Sequence, residues 1–378
     1  MALDDLYGKI LALGAQVIRQ QTALPMLVNH VTVGDRAQGA SRGGTTEVIV
    51  PPEFTSRTVV PGPVPPASAA APAPTTVQVP LDYWKEVNFP LTEKHVTLLE
   101  NAETAVPMFL ANAVSPIVED ITAAIAGQYT GLYGYVGAAG TTPFAASPAE
   151  AQQAKKVLTQ QKCPKFMRQL LLNTDAYANG TGLEAFRSYL QYGSRETIQE
   201  GEVSRAYGFN WYEDVGLDGI EHRNPAGTPA GWLVNSAAVA VGDRSVAIDT
   251  GANAPVLGDI FTVAGDTQTY VVQSYAGGVL SFAPGAQVAW ADNAALTFKA
   301  AHAINLAFHP FCFAFDSRPA TRLSLPGVTS NFMTWVDDMT GVVLRLEIRD
   351  EYHQTGFYIS CLWGAKLVDA RLGVRIAG

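Results

Sequence analysis

Six histidines, three cysteines and two adjacent acid pairs are the residues of this sequence best suited to chemistry. The histidines (His30, His95, His222, His302, His309 and His353) lie in unrelated contexts, and no two stand at the i, i+4 spacing of a zinc-binding helix. Each reads first as an ordinary structural residue. Cys163, Cys312 and Cys361 are odd in number and far apart, which fits neither a disulfide framework nor a zinc site. Buried thiols in a reducing cytoplasm are the simpler expectation. Glu119-Asp120 and Asp337-Asp338 are neighbours in sequence, and neighbours point to different sides of a helix or strand. Neither pair is a natural acid–base dyad or metal clamp, and both read as solvated caps or faces. Gly131-Leu132-Tyr133-Gly134-Tyr135-Val136-Gly137 has glycines in the wrong order for a dinucleotide loop and follows a helical pattern rather than a strand. There is no P-loop lysine motif and no G-x-S-x-G elbow. A site can still assemble from scattered residues, but the expectation is no enzyme, no cofactor and no metal.

The rest of the composition bounds the class. A chain of 378 residues exceeds one ordinary core, so two or more folded units are expected. Its 48% hydrophobic content supplies those cores. Charged residues make up 16%, against roughly 25% in a typical soluble domain. A low charge fraction suits a surface covered by neighbouring copies, because the centres of interfaces are depleted of charge. The net charge of −9 and the lack of a basic run argue against direct DNA binding, which draws its affinity from Lys and Arg on phosphates. No stretch reaches the roughly 18 apolar residues of a membrane helix. Asp4 and Asp5 stand where a signal peptide would be basic, so assembly in a cytoplasm is expected.

The elements that would position any site change character along the chain. Leu3, Leu6, Ile10, Leu13, Val17 and Ile18 give residues 3–22 the period of an amphipathic helix, ended by Pro25. Two β-prone runs, Thr46–Val50 and Thr75–Val79, flank a proline-rich stretch through Pro74 that cannot be helix or central strand. That reads as a long two-stranded arm with a stiff tip, or as a plain linker. From Thr92, a possible cap, helical spacing continues through Val106, Leu110, Ile117, Ile121 and Ile125, with Pro107 and Pro116 expected to kink or divide it. A loose glycine-rich stretch follows. Residues 147–162 read as a helix capped by Ser147 with Pro148 at its first position, 169–173 as a buried strand and 182–191 as a helix. Between 226 and 300 five short strands alternate with turn signals, which makes a small barrel or sandwich inserted into a host fold. Leu344, Leu346 and Ile348 alternate with charged residues, the period of a half-exposed strand, and β-structure continues to the end.

This order, together with several short stretches, resembles the major coat proteins of tailed bacteriophages, specifically the gene-five-type family with an inserted β-domain. The stretches are Met1-Ala2-Leu3 with Leu24-Pro25-Met26, Leu110-Ala111-Asn112-Ala113-Val114, and Arg205-Ala206-Tyr207-Gly208-Phe209-Asn210 before the insertion. Within it stands Gly258-Asp259-Ile260-Phe261-Thr262-Val263-Ala264-Gly265, and near the end Leu362-Trp363-Gly364. The resemblance spans nearly the whole chain and rests on order, since each stretch is short. The proline-rich tip at 61–74 departs from the family pattern.

What the resemblance implies is an α+β fold, the tailed-phage capsid fold named after a Hong Kong phage. Its parts here would be an N-terminal helical arm (1–44), an extended β-arm (45–91), and a spine helix with peripheral domain (92–146). An axial domain (147–225 and 301–340), an inserted β-domain (226–300) and closing peripheral strands (341–378) would complete it. The implied function is assembly into pentamers and hexamers of an icosahedral shell around double-stranded DNA, through a scaffold-dependent procapsid. The implied partners are further copies of the chain, a scaffolding protein, a portal protein, a decoration protein and DNA held without sequence specificity, with the virion capsid as location. On the arm, Trp84 and Phe89 are the expected inter-subunit anchors, with Val77 and Val79 beside them. Their alternative is packing within their own subunit. The competing functions are a tail component, an encapsulating nanocompartment shell, and an α/β enzyme with a β-insertion.

Overall fold

The computed structural model describes residues 23–30, 45–50, 56, 58–59, 61, 75–94, 102–187, 200–236, 238–320, 331–337 and 339–378. The expected helix at 3–22 and most of the proline-rich tip lie outside them.

A helical turn, α1 (Leu24–Leu27), leads into the short strand β1 (Asn29–His30). β2 (Thr45–Val50) and β3 (Thr75–Pro80) then pair antiparallel over six residues each, from Thr45 opposite Pro80 to Val50 opposite Thr75. β4 (Tyr83–Thr92) runs back along the body, so Thr92 ends a strand rather than capping a helix. The long helix α2 (Ala102–Ala126) is one element through both prolines. Pro116 and Asn112, whose carbonyl loses its partner to the ring, are both exposed, so water can meet that carbonyl while Val114, Ile117, Val118, Ile121 and Ile125 stay buried on the other face.

The glycine stretch is ordered: after a 3₁₀ turn, β5 (Gly134–Gly137) lies parallel to the last strand of the chain. A Cβ at Gly137 would stand 2.5 Å from the Ala377 carbonyl, and its φ of +93° suits glycine alone. Helix α3 (Ala149–Gln160) has Pro148 at its cap position and no side-chain cap from Ser147, a shift of one residue from expectation. β6 (Gln169–Leu172) is buried at every residue. It is followed by α4 (Thr174–Gly182), capped by the Asn173 side chain, and α5 (Glu184–Arg187). Of the helix expected at 182–191, α5 covers 184–187 and residues 188–191 lie outside the described residues, while α4, which the glycine and asparagine content hid, precedes it. β7 (Arg205–Ala206), β8 (Phe209–Glu213) and β9 (Glu221–His222) complete this unit.

The inserted segment contributes β10 (Leu233–Val234), β11 (Ala238–Val239), β12 (Ser245–Asp249) and β13 (Ile260–Val263). β14 (Tyr270–Ala276), β15 (Val279–Ala283), β16 (Trp290–Ala291) and β17 (Leu296–Phe298) follow. Six of them pair in the order β10-β12-β15-β14-β13-β17. Backbone bonds from Leu296 N to Trp232 O (3.0 Å) and Val234 N to Ala294 O (3.0 Å) close the ring, so no edge is left between the first and last strands. Its interior is aromatic: Phe282 and Tyr270 lie 4.9 and 5.1 Å from Trp290, ring centre to ring centre.

β18 (His302–Phe308), β19 (Phe313–Arg318), β20 (Asn331–Val336), β21 (Val343–Glu351), β22 (Gln354–Leu367) and β23 (Gly373–Ala377) finish the chain. They build two sheets. One runs β1-β19-β22-β21-β20, with β4 on the other edge of β22; the second runs β5-β23-β18-β6-β8-β7, with β9 beside β18. Sheet membership therefore cuts across the boundary expected at 340/341. β19 and β20 join the sheet of the closing strands, whereas β5 and β23 join the sheet of the expected axial unit. The reason is burial on both faces. Leu171, Leu306 and Phe308 face the core under α2, while Leu170, Leu172 and Ala307 face the core under α3 and α4. Such strands read as unbroken apolar runs that carry no sheet assignment.

Candidate assembly surfaces

The base of the β2–β3 arm is fastened by a charged clamp. Thr46 Oγ1 donates to Asp316 Oδ2, Arg318 Nη2 donates to Thr46 Oγ1 at 2.6 Å, and Arg318 Nε pairs with Asp316 at 3.0 Å. Asp316 is fully buried, so its charge is tolerable only with these partners. Beside the clamp, β3 rests on Gly364, where a Cβ would come within 2.0 Å of the Pro80 carbonyl. Beyond this base the described arm strands pair with each other and with no third strand, and Ile49 is 68% exposed.

The four residues expected to grip a neighbour separate. Val79 is fully buried against its own chain and is no inter-subunit contact; alternation along β3 turns it inward at the arm base. Phe89 is half-buried and stacks on Phe357 at 5.3 Å, so it packs within its own subunit. Both belong to elements docked on β22, which the reading of 45–91 as one free arm missed. Val77 is half-buried in the arm. Trp84 is 67% exposed on the outer face of β4, next to Tyr83, which stacks on the fully buried Trp363 at 5.8 Å.

A second polar centre joins the barrel to the body, and sequence reading passed over it. His222 Nε2 bonds Asp259 Oδ1 at 2.8 Å and His222 Nδ1 bonds the Tyr129 hydroxyl at 3.2 Å. The acceptor-only carboxylate puts the imidazole proton on Nε2. The other oxygen of Asp259 takes Asn224 Nδ2 (3.0 Å) and Val256 N (2.8 Å). Fully buried Arg375 donates to the carbonyls of Gly258 (2.8 Å) and Thr130 (3.2 Å) and lies over the Tyr129 ring at 4.9 Å. Burial lowers its pKa to about 9, with the Tyr129 ring and Asp259 opposing the shift. His302 sits 5.6 Å from His222, ring to ring, and donates from Nδ1 to Ala300 O at 2.8 Å. Burial, together with the nearby Arg375 charge, pulls its pKa down to about 4. A carboxylate–imidazole–phenol relay is the vocabulary of acid–base chemistry. Here both ring nitrogens of His222 and both oxygens of Asp259 are already bonded within the chain, which makes the group a clamp holding the barrel loop to the body. Only the stretch around Asp259 hinted at it.

The remaining candidates are dispersed. Asp337 is buried and accepts from Thr340 Oγ1 at 2.7 Å, so it is an internal turn brace rather than a solvated cap; Asp338 and His95 lie outside the described residues. Asp120 pairs with Lys85 at 3.3 Å on the exposed side of α2. The three cysteines are free and buried. Among the described residues no group of three His, Cys, Asp or Glu side chains is placed to hold a metal, and no helix is long and apolar enough to cross a membrane.

Neither a family model nor a curated protein sequence matches the chain. Among solved structures it is similar to a chain of Mycobacterium phage Che8, at 13% identity and a TM-score of 0.48 over 94% of this chain and 91% of that one. It is similar to a chain of the capsid of the cyanophage P-SCSP1u, at 13% identity and a TM-score of 0.48 over 94% and 88%. A virus-like particle from Pyrococcus furiosus gives 9% identity and a TM-score of 0.43 over 98% of both chains. At these values the likeness assigns neither family nor function, which must come from the chain's own residues.

Proposed function

We propose that this α+β chain is a major capsid protein of the tailed-phage type, a self-assembling structural subunit whose work is association. The observation that carries the reading is the arm. β2 and β3 form a ribbon braced at its base by Thr46, Asp316 and Arg318 and, among the described residues, lacking a third strand beyond it. A lone two-stranded ribbon is marginal in water, so a braced one with an exposed apolar residue at Ile49 is built to lie on another subunit. Trp84, 67% exposed beside the arm base, would be the anchor of that contact. The finer reading is a shell of pentamers and hexamers around double-stranded DNA, assembled in a host cytoplasm with scaffolding and portal proteins and open to decoration. It follows from the sequence resemblance.

Negative-stain electron microscopy of the expressed protein, with and without a candidate scaffolding protein, tests it. Closed particles of uniform diameter are expected in at least one condition. Small monodisperse oligomers in both would sink the reading.

A further inference from the structure

A cleft of about 770 Å³ opens between the end of α3 and the barrel. It is lined by Lys162, Arg244 and Arg371 and by no carboxylate, in a chain whose net charge is −9. Its walls also carry the amides of Gln160, Gln268 and Gln287 and the rings of Tyr133 and Tyr135. Arg371 is steadied by Asp369 at 2.7 Å, whereas Lys162 and Arg244 are exposed. Amides that both donate and accept suit a polypeptide main chain, whose N–H and C=O groups alternate. The cleft therefore fits an acidic segment of protein.

Such a segment exists at the far end of β22, the strand that leads into the turn carrying Arg371. β21 and β22 meet in a tight turn with Glu351 opposite Gln354, leaving Tyr352 91% exposed. Asp350 and Glu351 point outward there, and Glu93, held by His353 at 2.9 Å, stands beside them. Glu351 is fixed in place by the Tyr358 hydroxyl at 2.8 Å. Arg349, the nearest cation on the hairpin, is already paired with Glu347 at 2.8 Å.

The tip cannot reach the cleft of its own chain. β22 has 14 residues between the tip and the turn that carries Arg371, a span of about 43 Å at the rise of a β-strand. We infer that the acidic hairpin tip of one copy, led by Tyr352, docks in the cationic cleft of the next copy. Resting on the self-assembly proposed above, this contact is heterologous, joining two different patches head to tail. Repeated, such contacts close into rings when the rotation from copy to copy closes. Opposite charge sets its register, and Tyr352 lies against the half-buried Tyr135 at the cleft wall.

A charge swap tests it in the full chain under conditions where the unaltered protein assembles. Lys162→Glu with Arg244→Glu, and separately Asp350→Lys with Glu351→Lys, are expected to lower particle yield at least tenfold in sedimentation. All these positions are exposed, so melting temperatures should stay unchanged. Combining the four substitutions should restore particles. Normal assembly of either pair, or no recovery in the combination, overturns the docking. Loss confined to the cleft pair would mean that the cleft takes a different acidic partner, which also overturns it. Failure of the unaltered protein to assemble counts against the capsid reading itself, a separate outcome.

Discussion

At the scale of single residues the chain puts its costliest groups between the barrel and the body. His302 is almost fully buried, its Nε2 has no hydrogen-bond partner among the described residues, and it faces Arg375, His222, Asp259 and the ring of Tyr135. An unfolded chain takes up the proton near pH 6.5, but the folded chain does so only near pH 4. Between those values the unfolded state holds more protons, so stability is full above pH 6.5 and falls as pH drops toward 4. The shift corresponds to about 3 kcal/mol. Urea unfolding at pH 7 and pH 4.5, comparing the protein with His302→Asn, isolates this part from the carboxylates, because Asn keeps a donor for the Ala300 carbonyl. The pH-dependent loss should be smaller in the variant. An equal loss in both would show that His302 is not responsible.

The elements carry a different division of labour. β4 is stitched to β22 over ten residues, so its inward side belongs to the fold and its outward side stays exposed. Phe89 and Trp84 are five residues apart on that one strand and end on opposite faces, the first packed on Phe357 and the second exposed. Trp84→Ala should change stability by less than about 0.5 kcal/mol, as exposed substitutions usually do, while lowering particle yield. Gly364→Ala should do the reverse first: its Cβ would strike the Pro80 carbonyl, so the melting temperature falls before assembly is reached. Thermal melts read beside particle counts separate the two. A large loss of stability from Trp84→Ala would return that residue to the core. The N-terminal turn has its own anchor, because Asp214 accepts the backbone N–H of Ala23 and Leu24 at 3.0 and 2.9 Å and of Gly216 at 2.9 Å. α1 is therefore held against the body however the residues before it are used.

For the whole molecule, the barrel is a fastened unit rather than a tethered lobe. Arg375 on the last strand reaches Gly258 in a barrel loop and Thr130 just after α2, while Thr269 Oγ1 donates to the Tyr133 carbonyl at 2.7 Å. Three distant parts of the chain thus share one guanidinium. Arg375→Met would leave the buried Gly258 carbonyl without its donor, at about 1–3 kcal/mol, and the half-buried Thr130 carbonyl at less. The expected outcome is a lower urea midpoint and faster proteolysis in the segments that lead into and out of the barrel. Unchanged cleavage there would mean that the remaining contacts hold the barrel without Arg375.

The division between sequence and tertiary structure follows from the range of the forces involved. Local signals were enough for α2, whose apolar period shows in Ile117, Ile121 and Ile125, and for the β2–β3 arm. They also sufficed for β12 to β15, where turn residues punctuate short alternating strands. Those elements are written by neighbours within a few residues. Which strands share a sheet was not legible, because β18 and β19 are buried at every position but one each, and a strand buried on both faces has no alternation to reveal its partners. The fates of Phe89 and Val79 were decided by docking on β22, residues more than 250 positions away. The His222–Asp259–Tyr129 clamp, the Arg375 bridge and the cationic cleft were likewise invisible, since each joins side chains from separate elements that only the folded chain brings within a few ångströms.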